Sequence, residues 1–274
     1  MARDVQARTI ADFGEQWTAY PGAEGYFGST ELFNDTFNPL LSDRDVAGKD
    51  VAEVGAGSGR FVVVLARAGA RHITALEPSD AVRVLRENTA AFADRITYLN
   101  VTGDQLPAGS DFDFVFMIGV LHHIPDPDAA VRASYAALRP GGQLAVWIYG
   151  REGNTPYLIA ATILRSFTRW MPHRALAAFV GLLYPIVWCY MAGCRRLPLP
   201  LAPYMRRVME PLTPAKRRVV IYDQLNPAYA KYYTREEARD VLERNGFSEV
   251  HLHHRHGYSW TMVGTKGQSV APRV

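Results

Sequence analysis

Cysteine is nearly missing: Cys189 and Cys194 are the only two in 274 residues, and both sit in one apolar stretch. Two neighbouring thiols supply neither the density of a disulfide scaffold nor the paired spacing of a zinc site, so a reducing cytoplasm is the expected setting. Surplus charge is missing too. Thirty Lys and Arg against 27 Asp and Glu leave +3, far short of the basic excess used for sequence-independent phosphate-backbone binding, and nucleic acid is not expected as a partner. The opening MARDVQARTIADFGEQ interleaves charges with small residues. It never builds the apolar core of a secretory signal, so export is not expected. No repeat or low-complexity segment interrupts the chain. What is there is ordinary globular composition, 48% hydrophobic and 21% charged, enough to bury a full core in one domain, with or without an insertion.

Across residues 50–149, short apolar runs alternate with longer segments of helical period, the pattern of βαβ units and a parallel sheet. The expected strands are DVAEVGA, HITALE, ITYLNV, DFVFMIG and QLAVWIY. Between the first two, RFVVVLARAGA reads as a helix closed by Gly69. Ser79 can accept from the exposed amides opening a helix over SDAVRVLRENTAAFA. Asp126 is the expected N-cap of the next helix, with Pro127 at its first position. Thr234 and Glu237 have capping-box spacing ahead of a helix stopped by Gly246. FSEVHLHHRH and YSWTMVGTK, joined at Gly257, should pair as a hairpin. The expected fold is α/β: a Rossmann-like seven-stranded sheet with a terminal antiparallel hairpin, helices on both faces, and a mainly helical insert after the fifth strand. Residues 1–45 would form an N-terminal helical cap, 46–150 with 234–268 the cofactor-binding core, and 151–233 a helical lid or substrate-binding insert.

The first strand runs into VAEVGAGSGRF. Closely spaced glycines between a strand and a helix leave amides unpaired at the sheet edge and let a ligand touch the main chain, although three glycines can equally form a tight turn. Glu77 ends the next strand, 18 residues after Gly59, near the ~20-residue offset of a ribose-binding acid. The glycines run G-x-G-x-G, not the G-x-G-x-x-G of a dinucleotide site, and Glu53 precedes them. A carboxylate there would repel a pyrophosphate and attract an amino group. The expected cofactor therefore carries a cation, and a nicotinamide dinucleotide is disfavoured.

EVGAGSG, the acids in ALEPS and NVTGDQLP, DFDFVFMIGVLHHIPDP and LRPGGQL stand in this order. The chain thereby resembles the small-molecule branch of the class I S-adenosylmethionine-dependent methyltransferases, closely over residues 50–149 and by pattern in the last helix and hairpin. The resemblance implies S-adenosyl-L-methionine as cofactor and S-adenosyl-L-homocysteine as product. It implies Glu53, Gly55, Gly57 and Gly59 around the methionine portion, Glu77 on the ribose hydroxyls, and Pro78 and Ser79 beside the adenine. Asp104 would accept from the adenine amino group with Gln105 next to it, and Gly119 and Val120 would line the cofactor opposite the transferring methyl. Asp104 could instead cap a short helix, and Gly119 could be a plain strand-end turn.

Methyl transfer from a sulfonium neutralises charge, so positioning and water exclusion carry most of it, and a base is needed only for a protonated nucleophile of high pKa. His122 and His123, after the fourth strand, are the candidate bases, His123 ahead; either could instead pack or be solvated. Tyr222, a third candidate, belongs with Asp223, Asn226 and Tyr229 to a set that contacts substrate or packs the insert on the sheet. Phe13, Trp17 and Tyr20 form one aromatic stripe at helical spacing. In related methyltransferases such a leading helix closes over the cofactor, which makes Trp17 and Tyr20 substrate-side candidates; the stripe could equally be core. His251, His253, His254 and His256 alternate between strand faces and cannot converge on a metal, so a solvated hairpin and no metal are expected.

ALAAFVGLLYPIVWCYMAGC holds 20 residues without a charge, long enough to span a bilayer. A single crossing would separate strands of the same sheet, and Pro185 with Gly181 and Gly193 suggests two short helices. A basic band follows, with Glu210 its only acid. Such a segment can be a lid over the active site, a homodimer interface or an in-plane membrane contact; a lid is the favoured reading, and it implies a hydrophobic or aromatic small-molecule substrate. The expected activity is methyl transfer to O or N of such a metabolite. A relative using the sulfonium for other chemistry and a non-catalytic cofactor-binding protein are the alternatives.

Overall fold

Crossover connections leave the first five strands parallel, and the glycine turn near the C-terminus leaves the last two antiparallel. The computed structural model describes residues 2–168, 170–226 and 228–268. It places β1 (Asp50–Val54), β2 (His72–Leu76), β3 (Ile96–Leu99), β4 (Phe112–Ile118), β5 (Leu138–Tyr149), β6 (Phe247–Arg255) and β7 (Ser259–Lys266) in one sheet. The order is β3-β2-β1-β4-β5-β7-β6, with β1 parallel to β2 and β4, and β7 antiparallel to β5 and β6. This is the expected Rossmann-like sheet. The order reverses between β1 and β4, where neighbouring connections leave toward opposite faces and open a crevice at the carboxyl ends of the strands.

The helices are α1 (Ala2–Ala19), α2 (Thr30–Phe37), α3 (Arg60–Arg67), α4 (Val82–Asn88), α5 (Asp128–Ala137), α6 (Thr155–Thr168), α7 (His173–Cys194), α8 (Ala202–Tyr204), α9 (Pro214–Leu225) and α10 (Arg235–Glu243). Alternate strand residues enter two cores, one on each face. Val51, Phe114 and Phe116 pack with α2 and α3, whereas Ala52, Val115 and Met117 pack with α5 and α10. Phe33 and Phe37 meet Phe116 with ring centroids 5.8 and 5.7 Å apart. All three are fully buried, and truncating one to Ala would cost about 3–5 kcal/mol. A third cluster joins Phe27 to Leu176, Val180, Met209 and Tyr222, packing the insert on the N-terminal segment.

Four local expectations need correction. α7 is one helix with Pro185 inside it, not two. Its inner residues Leu176, Val180, Met191 and Cys194 are buried, and that packing outweighs the roughly 3 kcal/mol a mid-helix proline costs. α5 begins at Asp128 after Pro127, without a side-chain cap from Asp126. α4 stops at Asn88, where the Thr89 hydroxyl donates to the Leu85 carbonyl at 2.7 Å, a side-chain bond that competes with helix propagation. The hairpin histidines are not simply solvated: His254 stacks on Trp260 at 4.2 Å and His256 lies 2.8 Å from Asp35. The capping box of Thr234 and Glu237 forms as expected.

Candidate active site

β1 ends into a loop in which Gly55, Gly57 and Gly59 have φ of +71°, +55° and +84°, the left-handed region that side chains disfavour. A Cβ on Gly55 would stand 2.6 Å from Val120, one on Gly57 3.0 Å from the Trp17 indole nitrogen, and one on Gly59 2.7 Å from Leu85. The missing side chains thus make room first for protein groups: the residue after β4, the leading helix, and the packing of α3 on α4. Glu77 holds the loop in place. One of its oxygens accepts from the Gly57 amide at 2.8 Å, and the other from the Ser79 amide at 3.0 Å and the Ser79 hydroxyl at 2.5 Å.

A deep cavity opens over this loop at the β1–β4 reversal. Its wall includes Glu53, Gly55, Gly57, Glu77, Pro78, Gly119 and Val120. Glu53 is 2% exposed, and its Oε2 has no hydrogen-bond partner among the described residues. Burial pushes its carboxyl up to about 8, against the pull of Arg60 and with a further push from Glu77. Arg60 opens α3 from the other side of the loop and also lines the cavity. Its guanidinium lies 4.2 Å from the Phe27 ring and 4.4 Å from the Phe61 ring. Burial pulls it down to about 10, so it remains charged at neutral pH. A buried carboxyl without a partner, which gives up its proton when a cationic group arrives, and a guanidinium beside the same glycine loop suit the two ends of a zwitterion, because attraction between opposite charges strengthens where water is excluded.

Of the candidate bases, the structure brings His123 to the cavity. Its Nδ1 is 2.8 Å from the Tyr229 carbonyl, which makes Nδ1 the donor and leaves Nε2 as the acceptor. Burial lowers His123 to about 4, with Asp223 pulling the other way. His122 is fully buried, packs against Tyr149 with ring centroids 3.8 Å apart, and has neither ring nitrogen hydrogen-bonded among the described residues. Tyr222 lies outside the cavity wall, its hydroxyl between His173 at 2.7 Å and Asn226 at 3.1 Å.

Trp17 and Asp223 line the cavity, whereas Tyr20 packs on Tyr222 with centroids 5.7 Å apart. Asp223 accepts from Gln16 at 3.0 Å and from the Tyr149 hydroxyl at 3.2 Å. The Asn226 side-chain amide donates to the Asp12 carbonyl at 2.9 Å and to Gln16 at 3.2 Å. These bonds latch α1 to the insert and close it over the glycine loop. Tyr229 contributes its carbonyl. Gly59 and Ser79 stand just behind the wall. Asp104 and Gln105 are exposed, Gln105 occupied in a capping box with Thr102; Thr102 and Gly103 form the wall there.

Several cavity residues escaped sequence reasoning. Arg60 was visible as a basic residue after the last glycine, but nothing local said that it turns inward. Tyr149, at the end of β5, accepts from the Gln224 amide at 2.7 Å, a contact between residues distant in the chain. Arg255 is 2% exposed and bound to Asp35 and Tyr258 at the far wall. Burial would raise the Asp35 carboxyl, but bonds from His256 and Arg255 hold it at about 2.

Comparison with known proteins bears on the same segment. The family model described as "Methyltransferase domain" matches residues 52–146. The ubiquinone biosynthesis O-methyltransferase of Idiomarina loihiensis is 30% identical over 177 residues, covering 62% of this chain and 71% of that one. The chain belongs to the class I S-adenosylmethionine-dependent methyltransferases. A ubiquinone biosynthesis O-methyltransferase of Aromatoleum aromaticum is 33% identical over 115 residues, 39% of this methyltransferase, and the match spans only 49% of that relative's length. Among solved structures, a Burkholderia thailandensis 1,6-didemethyltoxoflavin-N1-methyltransferase, with bound 1,6-didemethyltoxoflavin and S-adenosylhomocysteine, has the same fold. Its TM-score is 0.59 at 14% identity, over 98% of this chain and 91% of that one. The residues of this methyltransferase fit the cofactor of its family. The orphaned Glu53 oxygen and the Arg60 guanidinium suit the amino and carboxylate ends of a methionine tail, and Gly55 and Gly57 line the cavity with them.

Proposed function

We propose that this methyltransferase moves the methyl group of S-adenosylmethionine to a hydroxyl oxygen of a small, largely apolar or aromatic acceptor held beneath the helical insert. The observation that carries the reading is the buried, unpartnered Glu53 carboxylate opposite Arg60 on the glycine loop. When bound, S-adenosylmethionine supplies an electrophilic methyl carried on a positively charged sulfur. Glu53 would take the amino group of its amino-acid tail and Arg60 the carboxylate. Glu77, already ordered by Gly57 and Ser79, would accept from the ribose hydroxyls. Pro78, Thr102 and Gly103 would border the adenine, with Ser79, Asp104 and Gln105 behind them.

The acceptor would lie between the loop and the insert, where Phe13, Trp17, Leu201, Tyr204, Val208 and Leu212 supply apolar wall. Such a wall excludes water and holds the nucleophile in line, and alignment accounts for roughly 7–11 kcal/mol of barrier lowering in favourable intramolecular systems. His123 Nε2 would receive the hydroxyl proton while the Tyr229 carbonyl fixes the ring through Nδ1. The imidazolium so formed would be stabilised by Asp223, whose charge favours protonation of His123. The names of the matched relatives support oxygen as the acceptor atom.

The test is incubation with isotopically labelled cofactor and two acceptor panels, alkyl- or aryl-substituted phenols and small polar hydroxy acids, read by mass spectrometry. Methyl ethers of the apolar phenols with stoichiometric S-adenosylhomocysteine are expected. Turnover of the polar acids with no response to the apolar series would reject the acceptor class, and cofactor consumption without any methylated product would reject the reaction.

A further inference from the structure

The insert turns one side of α6 and α7 into the protein and the other to solvent, and the solvent side is apolar. On α7 the exposed positions Ala178, Gly181, Leu182, Pro185, Ile186 and Cys189 recur at steps of three and four, and none bears a charge. That is the spacing of a single helical face. Leu182 is 77% exposed and Ile186 67%. α6 and its C-terminal turn continue the pattern with Ile159, Ile163, Phe167 and Trp170, the last two each 68% exposed. Apolar exposure on this scale marks a contact. Among the described residues, α7 is the one helix long and apolar enough to cross a bilayer. The sheet forbids a crossing: β5 precedes α7, β7 follows it, and the two pair from Gln143–Thr265 to Tyr149–Ser259.

Charge selects the occupant. Residues 155–220 carry ten Lys and Arg against one acid, Glu210, although the whole chain is only +3, so the remainder is net negative. Arg174, Arg195, Arg196, Arg206, Arg207 and Arg218 are exposed, and Glu210 is already engaged by Arg195 at 2.6 Å. Two copies meeting through this segment would set like charge against like. An anionic bilayer surface offers headgroup phosphates for the arginines and acyl chains for the apolar face. Trp170 and Trp188, both exposed, are of the type that settles at headgroup depth.

We propose that α6 and α7 lie in the plane of an anionic phospholipid surface, with Leu182, Ile186 and Phe167 in the acyl boundary and the flanking arginines among the phosphates. The same insert reaches the cavity through Tyr157 of α6 and through Leu201, Tyr204, Val208 and Leu212 beyond α7, so the docked helices adjoin the segment that walls the site.

The full chain is to be floated with vesicles of phosphatidylcholine alone and with about one third phosphatidylglycerol, at low and physiological salt. Binding to the anionic vesicles, weakened by salt, is expected. Leu182→Glu with Ile186→Glu should reduce it by about tenfold or more while thermal unfolding and cofactor affinity stay unchanged. Arg174→Glu with Arg196→Glu should remove most of the preference for anionic over neutral vesicles. The proposal is overturned by absence of binding to anionic vesicles, by undiminished binding of the Leu182/Ile186 variant, or by a lipid-free dimer that this variant dissolves.

Discussion

The Trp17 indole nitrogen lies 3.0 Å from the point that a β-carbon on Gly57 would occupy. The leading helix therefore closes directly onto the bare main chain of the loop, and Gly57 is constrained from both sides, by its φ of +55° and by the ring above it. Trp17→Ala is expected to raise the dissociation constant for S-adenosylhomocysteine by about tenfold, mostly through faster release. Stopped-flow and calorimetry check this; an unchanged constant would assign the indole to packing alone. Gly57→Ala should lose cofactor binding and also destabilise the fold by roughly 1–2 kcal/mol from the strained backbone.

Glu53 makes stability and cofactor binding depend on pH in opposite ways. Its folded carboxyl sits at about 8 because burial disfavours the charge, against an ordinary value of 4.5. Between those values the folded chain holds a proton that the unfolded chain has released, so this residue's contribution is present below the lower value and is lost as pH rises through the upper one. Glu53→Gln should therefore gain stability relative to wild type between about pH 5 and pH 8.5, seen in thermal melts without ligand. Binding of a cationic tail favours the ionised form. Calorimetry in buffers of differing ionisation heat should show more proton release on cofactor binding in the wild type than in the Gln variant.

Glu77 organises the loop before any ligand arrives, through the Gly57 amide and Ser79. Glu77→Ala is expected to weaken cofactor affinity by about tenfold or more, since it loses both the ribose acceptor and that ordering. Unchanged affinity would move the ribose elsewhere in the cavity.

His123 is held neutral over the physiological range, since burial lowers it to about 4. Under saturating cofactor, kcat should be flat from about pH 5.5 to pH 7.5 and fall below about pH 5 as the ring takes up its proton. His123→Gln should lower kcat by about 100-fold, leave cofactor affinity intact and abolish the acid limb. A variant that keeps both rate and limb would remove the ring from the chemistry.

The five parallel strands, the terminal hairpin, the capping box at Thr234 and the place of the glycine loop between β1 and α3 all follow from local pattern. Their causes lie within a few residues or in the handedness of one crossover, and the chain carries them openly. Proximity across the chain decided the rest. Glu53 is unpaired because of what surrounds it in space, and Arg60 turns inward because Phe27 and Phe61 flank it. α1 is latched through Gln16 to Asp223, residues 207 positions apart. The apolar run of α7 could have been core, lid or surface, because composition reports how much apolar area a helix has and not which side of it the neighbours cover; the packing of Leu176, Val180, Met191 and Cys194 left Leu182 and Ile186 outside.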